Sequence, residues 1–227
     1  MRRNIALIPA AGVGERFGAG KPKQYVEIAG KTVLQHTLAI FLNCAVIDKV
    51  AVVLSPDDAV FQTGMHDKLH VLKVGGQTRA ESVRNGLAAL LQAGLAAETD
   101  NILVHDAARC CLPQEALMRL IETAGGCEAG GILAVPVADT LKRAEGKAIG
   151  ATVPRSGLWQ AQTPQLFRAG LLYKALAVPD LGAVTDEASA VEMLGVHPLL
   201  VLGDTRNLKL TLPQDEYIVR LLLQQAD

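Results

Sequence analysis

Short aliphatic runs alternate along the chain with longer segments of helical period. Ile5–Pro9, Lys49–Leu54, His70–Val74, Asn101–His105 and Gly131–Val135 are rich in Val, Ile and Leu, the pattern of strands buried on both faces. Between them, Thr32–Leu42, Asp57–Lys68, Arg79–Ala93 and Gln114–Ala124 space their apolar residues as helices do. Thr32 followed by Gln35 has the form of a capping box, and Pro113 suits a helix start. Such alternation predicts an α/β fold: a mostly parallel sheet with helices on both faces. Ligands of these folds gather at loops leaving the carboxyl ends of strands, so the residues just after each run are the first candidates for function.

Pro136–Pro154 breaks the pattern. Two polar segments flank a Glu145-Gly146-Lys147 turn, with too little apolar surface to pack as core. An isolated hairpin is marginal in water, so this arm is expected to lean on something else, such as a second subunit. Beyond it the pattern predicts helices near Arg168–Ala177 and Thr185–Leu194, and a strand at His197–Leu202. A short run at Asn207–Thr211 and a final helix from Pro213 complete it. Neither repeat nor linker interrupts the chain. It is expected to form a single domain over 1–227, with the arm at about 136–157.

Composition narrows the partners. Half of the 227 residues are hydrophobic, which with a 20% charged fraction excludes disorder. Twenty-two basic against 23 acidic side chains leave a formal charge of −1, which argues against a general nucleic-acid binder. A small phosphorylated ligand needs only a few placed cations and stays open. Cys44, Cys110, Cys111 and Cys127 show no zinc-ligand spacing and are too few for a disulfide scaffold. Reduced thiols in the cytoplasm fit best. The apolar start is cut short by Pro9 and the cations beyond it, so it does not read as a signal peptide, and no run reaches transmembrane length.

The chemistry-bearing segment follows the first run: Pro9-Ala10-Ala11-Gly12-Val13-Gly14-Glu15-Arg16, then Lys21-Pro22-Lys23-Gln24. Small residues let backbone N–H groups approach phosphate oxygens, and Arg16 and Lys23 can neutralise them. Residues 1–31 hold six basic side chains against two acidic ones, a local +4 within a −1 protein. Phe17 stands where a dinucleotide fingerprint needs Gly or Ala, and Pro22 follows Gly20-Lys21 where a P-loop needs Ser or Thr. On the glycines alone, a solvated surface loop is the alternative. Position after the first strand, with two cations in register, favours a phosphate site.

These residues, with Pro22-Lys23-Gln24-Tyr25, resemble the signature of the 2-C-methyl-D-erythritol 4-phosphate cytidylyltransferases, the IspD family of the non-mevalonate isoprenoid route. The resemblance continues through Gly75-Gly76-x-x-Arg79-x-x-Ser82-Val83, Val104-His105-Asp106-Ala107-Ala108-Arg109 and Asp139-Thr140-x-Lys142. It runs on through Thr163-Pro164-Gln165, Thr185-Asp186-Glu187-Ala188 and Asn207-x-Lys209. The first motif is shared by many nucleotidyltransferases; the ordered set is far more specific.

The resemblance implies a Rossmann-like nucleotidyltransferase three-layer sandwich with a projecting β-arm. It implies a reaction joining CTP to 2-C-methyl-D-erythritol 4-phosphate, with release of pyrophosphate and assistance from Mg²⁺. Arg16, Lys23, Arg155 and Lys209 are then the catalytic set. Ala10, Ala11, Gly12, Gly14, Arg16, Lys23, Gly75, Gly76, Gln77, Ser82, Asp106 and Ala107 bind the nucleotide. Asp106, Arg109, Thr140, Arg155, Thr163 and Lys209 bind the second substrate, and Asp106 is the metal candidate. Thr140 and Arg155 lie on the arm, which in this family crosses to the neighbouring subunit of a homodimer. Two departures stand out: Gln77, where relatives often carry an acid, and Cys110, where proline is common. The alternatives are a ribitol 5-phosphate cytidylyltransferase, which shares fold and first motif, and a non-catalytic nucleotide-binding protein.

Overall fold

The computed structural model describes residues 2–12, 22–178 and 180–224. The first half runs β1 (Asn4–Pro9), a 3₁₀ turn at Lys23–Tyr25, β2 (Glu27–Ile28), β3 (Lys31–Thr32), α1 (Val33–Leu42), β4 (Lys49–Val53), β5 (Leu69–Leu72), α2 (Arg79–Gln92) and β6 (Asn101–Val104). The second half runs α3 (Gln114–Ala124), β7 (Gly131–Pro136), β8 (Leu141–Glu145), β9 (Ala148–Val153), β10 (Trp159–Arg168), α4 (Ala169–Leu176), α5 (Glu187–Glu192), β11 (Leu199–Leu202) and α6 (Asp215–Gln224). Helix starts follow local chemistry. Thr32 and Gln35 form the predicted capping box, and Thr78 with Glu81 and Asp186 with Ser189 form two more, at α2 and α5.

Seven strands form the main sheet in the order β11-β7-β10-β6-β1-β4-β5. Every neighbouring pair is parallel except those of β10, which is antiparallel to both β6 and β7. Period-two alternation divides the core into two layers. Ala6 and Ile8 of β1 face a layer containing Leu34, Leu38 and Phe41 of α1 with Leu117 and Leu120 of α3. Ile5 and Leu7 face the opposite layer, with Val83 and Leu87 of α2, Leu172 of α4 and Val191 of α5. Because both faces are covered, these strands are apolar throughout, as their sequence pattern requires.

Two elements depart from the sequence pattern. Residues 57–68 form no helix. Val60 and Met65 are exposed and only Phe61 packs on the core, so the segment has no continuous apolar face to bury. Asp58 instead accepts hydrogen bonds from the amides of Val60 and Phe61, holding a turn. The second departure is β10, which the pattern does not announce. Its inner half carries Gln162, Thr163 and Gln165, yet all three are buried. Gln165 donates to Asp186 and accepts from the Ala188 amide, and Gln162 donates to the Asp204 carbonyl. A polar strand becomes central here because distant groups satisfy it. The register against β7 shifts between Ala161 and Gln165, and the Thr163-Pro164 bond there is cis.

The arm is a hairpin of β8 and β9, a separate two-stranded sheet with a glycine at positive φ in its turn (Gly146). Apart from the half-buried Leu141 and Val153 its strand residues are exposed, Ile149 among them.

Close packing of α2 on the sheet depends on Gly86, where a Cβ would overlap Val53 Cγ2 and approach Leu7 Cδ1 to 3.1 Å. Gly86→Ala is expected to lose about 1–3 kcal/mol by overpacking, despite the better helix propensity of alanine. Equilibrium denaturation would measure this, and a stabilised variant would contradict it.

Candidate active site

The carboxyl ends of β1, β5 and β6 open on one side of the sheet. Ala10 to Gly12 leave β1 there, with the Ala10 amide donating to the Val53 carbonyl at 2.8 Å. Buried Gln24 fastens the same strip from above, its Nε2 donating to the carbonyls of Ala10 at 2.9 Å and Gly12 at 2.8 Å. Beyond β5, Gly75 and Gly76 turn into α2. A Cβ at Gly75 would overlap Ala11 Cβ and stand 2.7 Å from the Leu54 carbonyl oxygen, so the two loops meet only because this residue is glycine. Ser82 Oγ accepts from the Gly76 amide, and Glu81 accepts from the amides of Gln77 and Thr78, which fixes the turn. Together these walls form an open cleft of about 170 Å³, lined also by Lys23, Arg79, Asp106, Ala107 and Lys209.

Asp106, two residues past the end of β6, is the acid of this cleft and is only 8% exposed. Arg79 Nε donates to Oδ1 at 2.7 Å and Lys209 Nζ to Oδ2 at 2.9 Å, while Arg109 Nε stands 3.5 Å from Oδ2. Burial alone would raise this carboxyl, but Arg79, Lys209 and Arg109 hold it well below the usual carboxylate range. It is therefore ionised throughout the working pH range. Behind Arg79 lies Glu187, whose two oxygens accept from Nη1 at 2.7 Å and Nη2 at 3.0 Å. Burial pushes the Glu187 carboxyl up against the pull of Arg79. Arg79 itself is held firmly protonated: burial opposes its charge, but the two carboxylates outweigh it.

A second hydrogen-bond chain supports Asp106 from below. Its amide donates to Thr163 Oγ1 at 3.1 Å, and Thr163 Oγ1 lies 3.0 Å from His105 Nδ1. His105 Nε2 faces the Arg109 carbonyl at 2.9 Å, which only an N–H can satisfy. Nε2 therefore carries the proton, and Nδ1 accepts from the threonine hydroxyl. Burial lowers the imidazole to about 4, so it stays neutral. Arg109 Nη1 donates to the Asn207 carbonyl at 2.6 Å, and Asn207 Nδ2 donates to the Thr163 carbonyl at 2.7 Å, which carries Lys209 into the cleft.

Proteins of known identity share this arrangement of chain. The profile of the family described as IspD: 2-C-methyl-D-erythritol 4-phosphate cytidylyltransferase matches residues 4–225. A 2-C-methyl-D-erythritol 4-phosphate cytidylyltransferase of Neisseria meningitidis serogroup C is 70% identical over 225 residues, covering 98% of each chain. The crystal structure of a 4-diphosphocytidyl-2C-methyl-D-erythritol synthase superposes with a TM-score of 0.87 at 65% identity, covering 98% of this chain and 100% of that one. The Francisella tularensis IspD structure gives 0.82 at 35% identity, covering 97% and 99%. The chain belongs to the IspD family.

Within this IspD chain, the structure gathers many of the residues singled out by sequence. Ala10, Ala11, Gly12, Lys23, Gly76, Gln77, Ser82, Asp106, Ala107 and Lys209 line the cleft, with Gly75 directly behind. Gly14 and Arg16 lie outside the described residues. Arg109 and Thr163 sit behind the cleft wall, their polar groups bonded to Asn207, Asp106 and His105. Thr140 and Arg155 are exposed on and beside the arm and are not among the residues lining the cleft. Cys110 packs as a small buried side chain with Ile28, Val33 and Leu210. Among the described residues no group of three or more His, Cys, Asp or Glu comes together as a metal site. Both oxygens of Asp106, the metal candidate, already meet cations.

Arg79, Glu187 and Gln24 were visible in the motif blocks without a role. Their partners lie 27, 108 and 14 residues away, distances at which spacing carries no signal.

The buried His105 gives a pH prediction. An unfolded histidine takes a proton near 6.5 and the folded one only near 4, so stability falls as pH drops through that window. Between pH 7.5 and 4, wild type should lose roughly 2–3 kcal/mol more than His105→Gln, measured by denaturant unfolding. Parallel pH profiles for the two would contradict a neutral buried imidazole.

Proposed function

We propose that this cleft transfers the cytidylyl group of CTP to 2-C-methyl-D-erythritol 4-phosphate, giving 4-diphosphocytidyl-2-C-methyl-D-erythritol and pyrophosphate. The observation that carries the reading is the family's match over residues 4–225, with Lys23, Asp106 and Lys209 converging on one cleft. The triphosphate lies along Ala10–Gly12, and the base enters the Gly75–Gly76 turn. A phosphate monoester oxygen attacks the α-phosphorus in line, and the bond to the bridging oxygen of the leaving pyrophosphate breaks.

The nucleophile is largely dianionic near pH 7, so it arrives ready and needs no strong general base. The protein's groups agree with this: His105 is buried and neutral, with both ring nitrogens bonded within the protein. What the site must supply is positive charge where two anions meet. Lys23 and Lys209 supply it within the cleft, with Arg16 as the further cation of the family signature. Asp106, ionised by its cationic neighbours, is an acceptor for a ribose hydroxyl and an anchor for Lys209.

Nucleotidyltransferases of this kind generally use a divalent cation, and Mg²⁺ suits carboxylate and phosphate oxygens. The described residues do not fit a resident metal site, since Asp106 is a single carboxylate already bonded to Arg79 and Lys209. The ion is better matched to the oxygens of the triphosphate itself. No step here depends on where it sits.

Thr140 and Arg155 stand exposed and apart from this chain's own cleft-lining residues, while the arm has almost no core of its own. In the proposed homodimer the arm lays these two residues over the partner's second-substrate phosphate. The cytoplasm is the compartment proposed, where the four free cysteines stay reduced. No helix among the described residues is long and apolar enough to cross a membrane.

The deciding assay measures pyrophosphate release from CTP with Mg²⁺ and either methylerythritol phosphate or ribitol 5-phosphate. Turnover with the first and little with the second is expected. The reverse preference would move the protein to the ribitol phosphate reaction, and tight CTP binding without turnover would make it a binding protein. Lys23→Ala should lower kcat by about 10²–10³-fold, the scale of losing one transition-state cation or donor. Lys23→Ala and Arg155→Ala subunits, each inactive alone, should regain part of the activity when mixed. Verified subunit exchange without recovery would rule out shared sites.

A further inference from the structure

We propose that Glu187 is a positioning residue for the transfer, acting through Arg79 on Asp106 and from there on Lys209. The inference rests on the reading of the cleft given above. Glu187 is not among the cleft-lining residues and is 1% exposed, at the first position of α5. Both of its oxygens accept from Arg79, Nη1 at 2.7 Å and Nη2 at 3.0 Å, so one N–H of each terminal nitrogen is turned to Glu187 and away from the cleft's acid. Nε donates on another edge of the group, to Asp106 Oδ1 at 2.7 Å. Asp106 Oδ2 in turn holds the Lys209 ammonium at 2.9 Å. The result is a ladder of alternating charge, from an enclosed helix end to a lysine whose side chain is 41% exposed at the cleft.

Arg79 itself lines the cleft. Beside a triphosphate, an unpinned guanidinium would turn its fork to phosphate oxygens, which it matches in bidentate fashion. Glu187 closes that option and offers Asp106 one edge of the group in a fixed plane. Lysine is a point charge on a flexible stem, so its catalytic worth depends on where its ammonium is held before the reaction. Capping does not explain the carboxylate: Asp186 and Ser189 already form the box that starts α5. Nor does general stability, because a buried ion pair contributes little that apolar packing of the same volume would not.

Steady-state kinetics of wild type, Glu187→Gln, Lys209→Ala and the double variant test this. Glutamine keeps the shape and removes the charge. Glu187→Gln should lower kcat about 10–100-fold, the scale of a displaced catalytic group, with KM for each substrate within about threefold. In the Lys209→Ala background the same change should cost less than about twofold, because the path it acts through is gone. An unchanged kcat, or an equal loss in both backgrounds, overturns the role. Glu187→Asp keeps the charge but withdraws it by one methylene, and it carries the same comparison if the glutamine variant loses its native circular dichroism. Loss of fold in both would make Glu187 a structural residue and overturn the role as well. Wild type without turnover would instead sink the reading of the cleft, so the two failures are distinct.

Discussion

Asp106 is a carboxylate almost wholly withdrawn from water, and three cationic side chains from three parts of the chain converge on it. An ionised group in that position is tolerable only because Arg79, Arg109 and Lys209 compensate it. Removing Asp106 itself would leave the three cations with only Glu187 to balance them, and breaking a buried pair in this way costs about 3–5 kcal/mol. That constraint organises the surroundings. It sets the start of α2, which must deliver Arg79 just past its cap. It also sets the turn after β6 and the otherwise irregular segment that brings Lys209 back over the sheet. Glu187 belongs to the same balance, since without it the cluster would carry a further unit of positive charge.

Helix capping is the local device that makes this placement reproducible. Thr78 and Glu81 close α2 at its first turn, so Arg79 leaves the helix at a fixed angle. Asp186 does the same for Glu187 at α5 and is itself held by Gln165 of β10. Gln24 ties down the strip that follows β1. Each of these contacts holds chain beside the cleft, the Thr78–Glu81 cap at the surface and the others buried or half-buried. The site is thus built from a rigid frame of amides and carboxylates on which a few cations are hung.

Much of this was legible in the amino-acid order. The continuous aliphatic runs of β1, β4 and β6 announced strands covered on both faces, and the Thr32–Gln35 and Pro113 signals marked two helix starts where they are found. The hairpin was visible as a polar interruption around Glu145-Gly146-Lys147. Lys23, Asp106 and Lys209 could be named because each belongs to a motif block. The failures have physical causes. Residues 57–68 have helical spacing but only Phe61 to bury, so Val60 and Met65 stay in water. The strand β10 reads as polar because Gln162, Thr163 and Gln165 find their hydrogen-bond partners in residues some 20 to 60 positions away.

The sequence by itself determined what depends on near neighbours and periodicity: most of the helices and strands, where several helices begin, and which blocks carry cations for phosphate. Those properties follow from side-chain spacing and from hydrogen bonds across three or four residues. Only the tertiary structure decided which charges meet. Arg79 pairs with residues 27 and 108 positions away, and Thr163 joins Asp106 to His105 across 57 and 58. Electrostatic energy depends on distance in space and on exclusion from water, and neither is a function of separation along the chain. The identity of the cations was written in the order of residues; their placement around one carboxylate was decided by the fold.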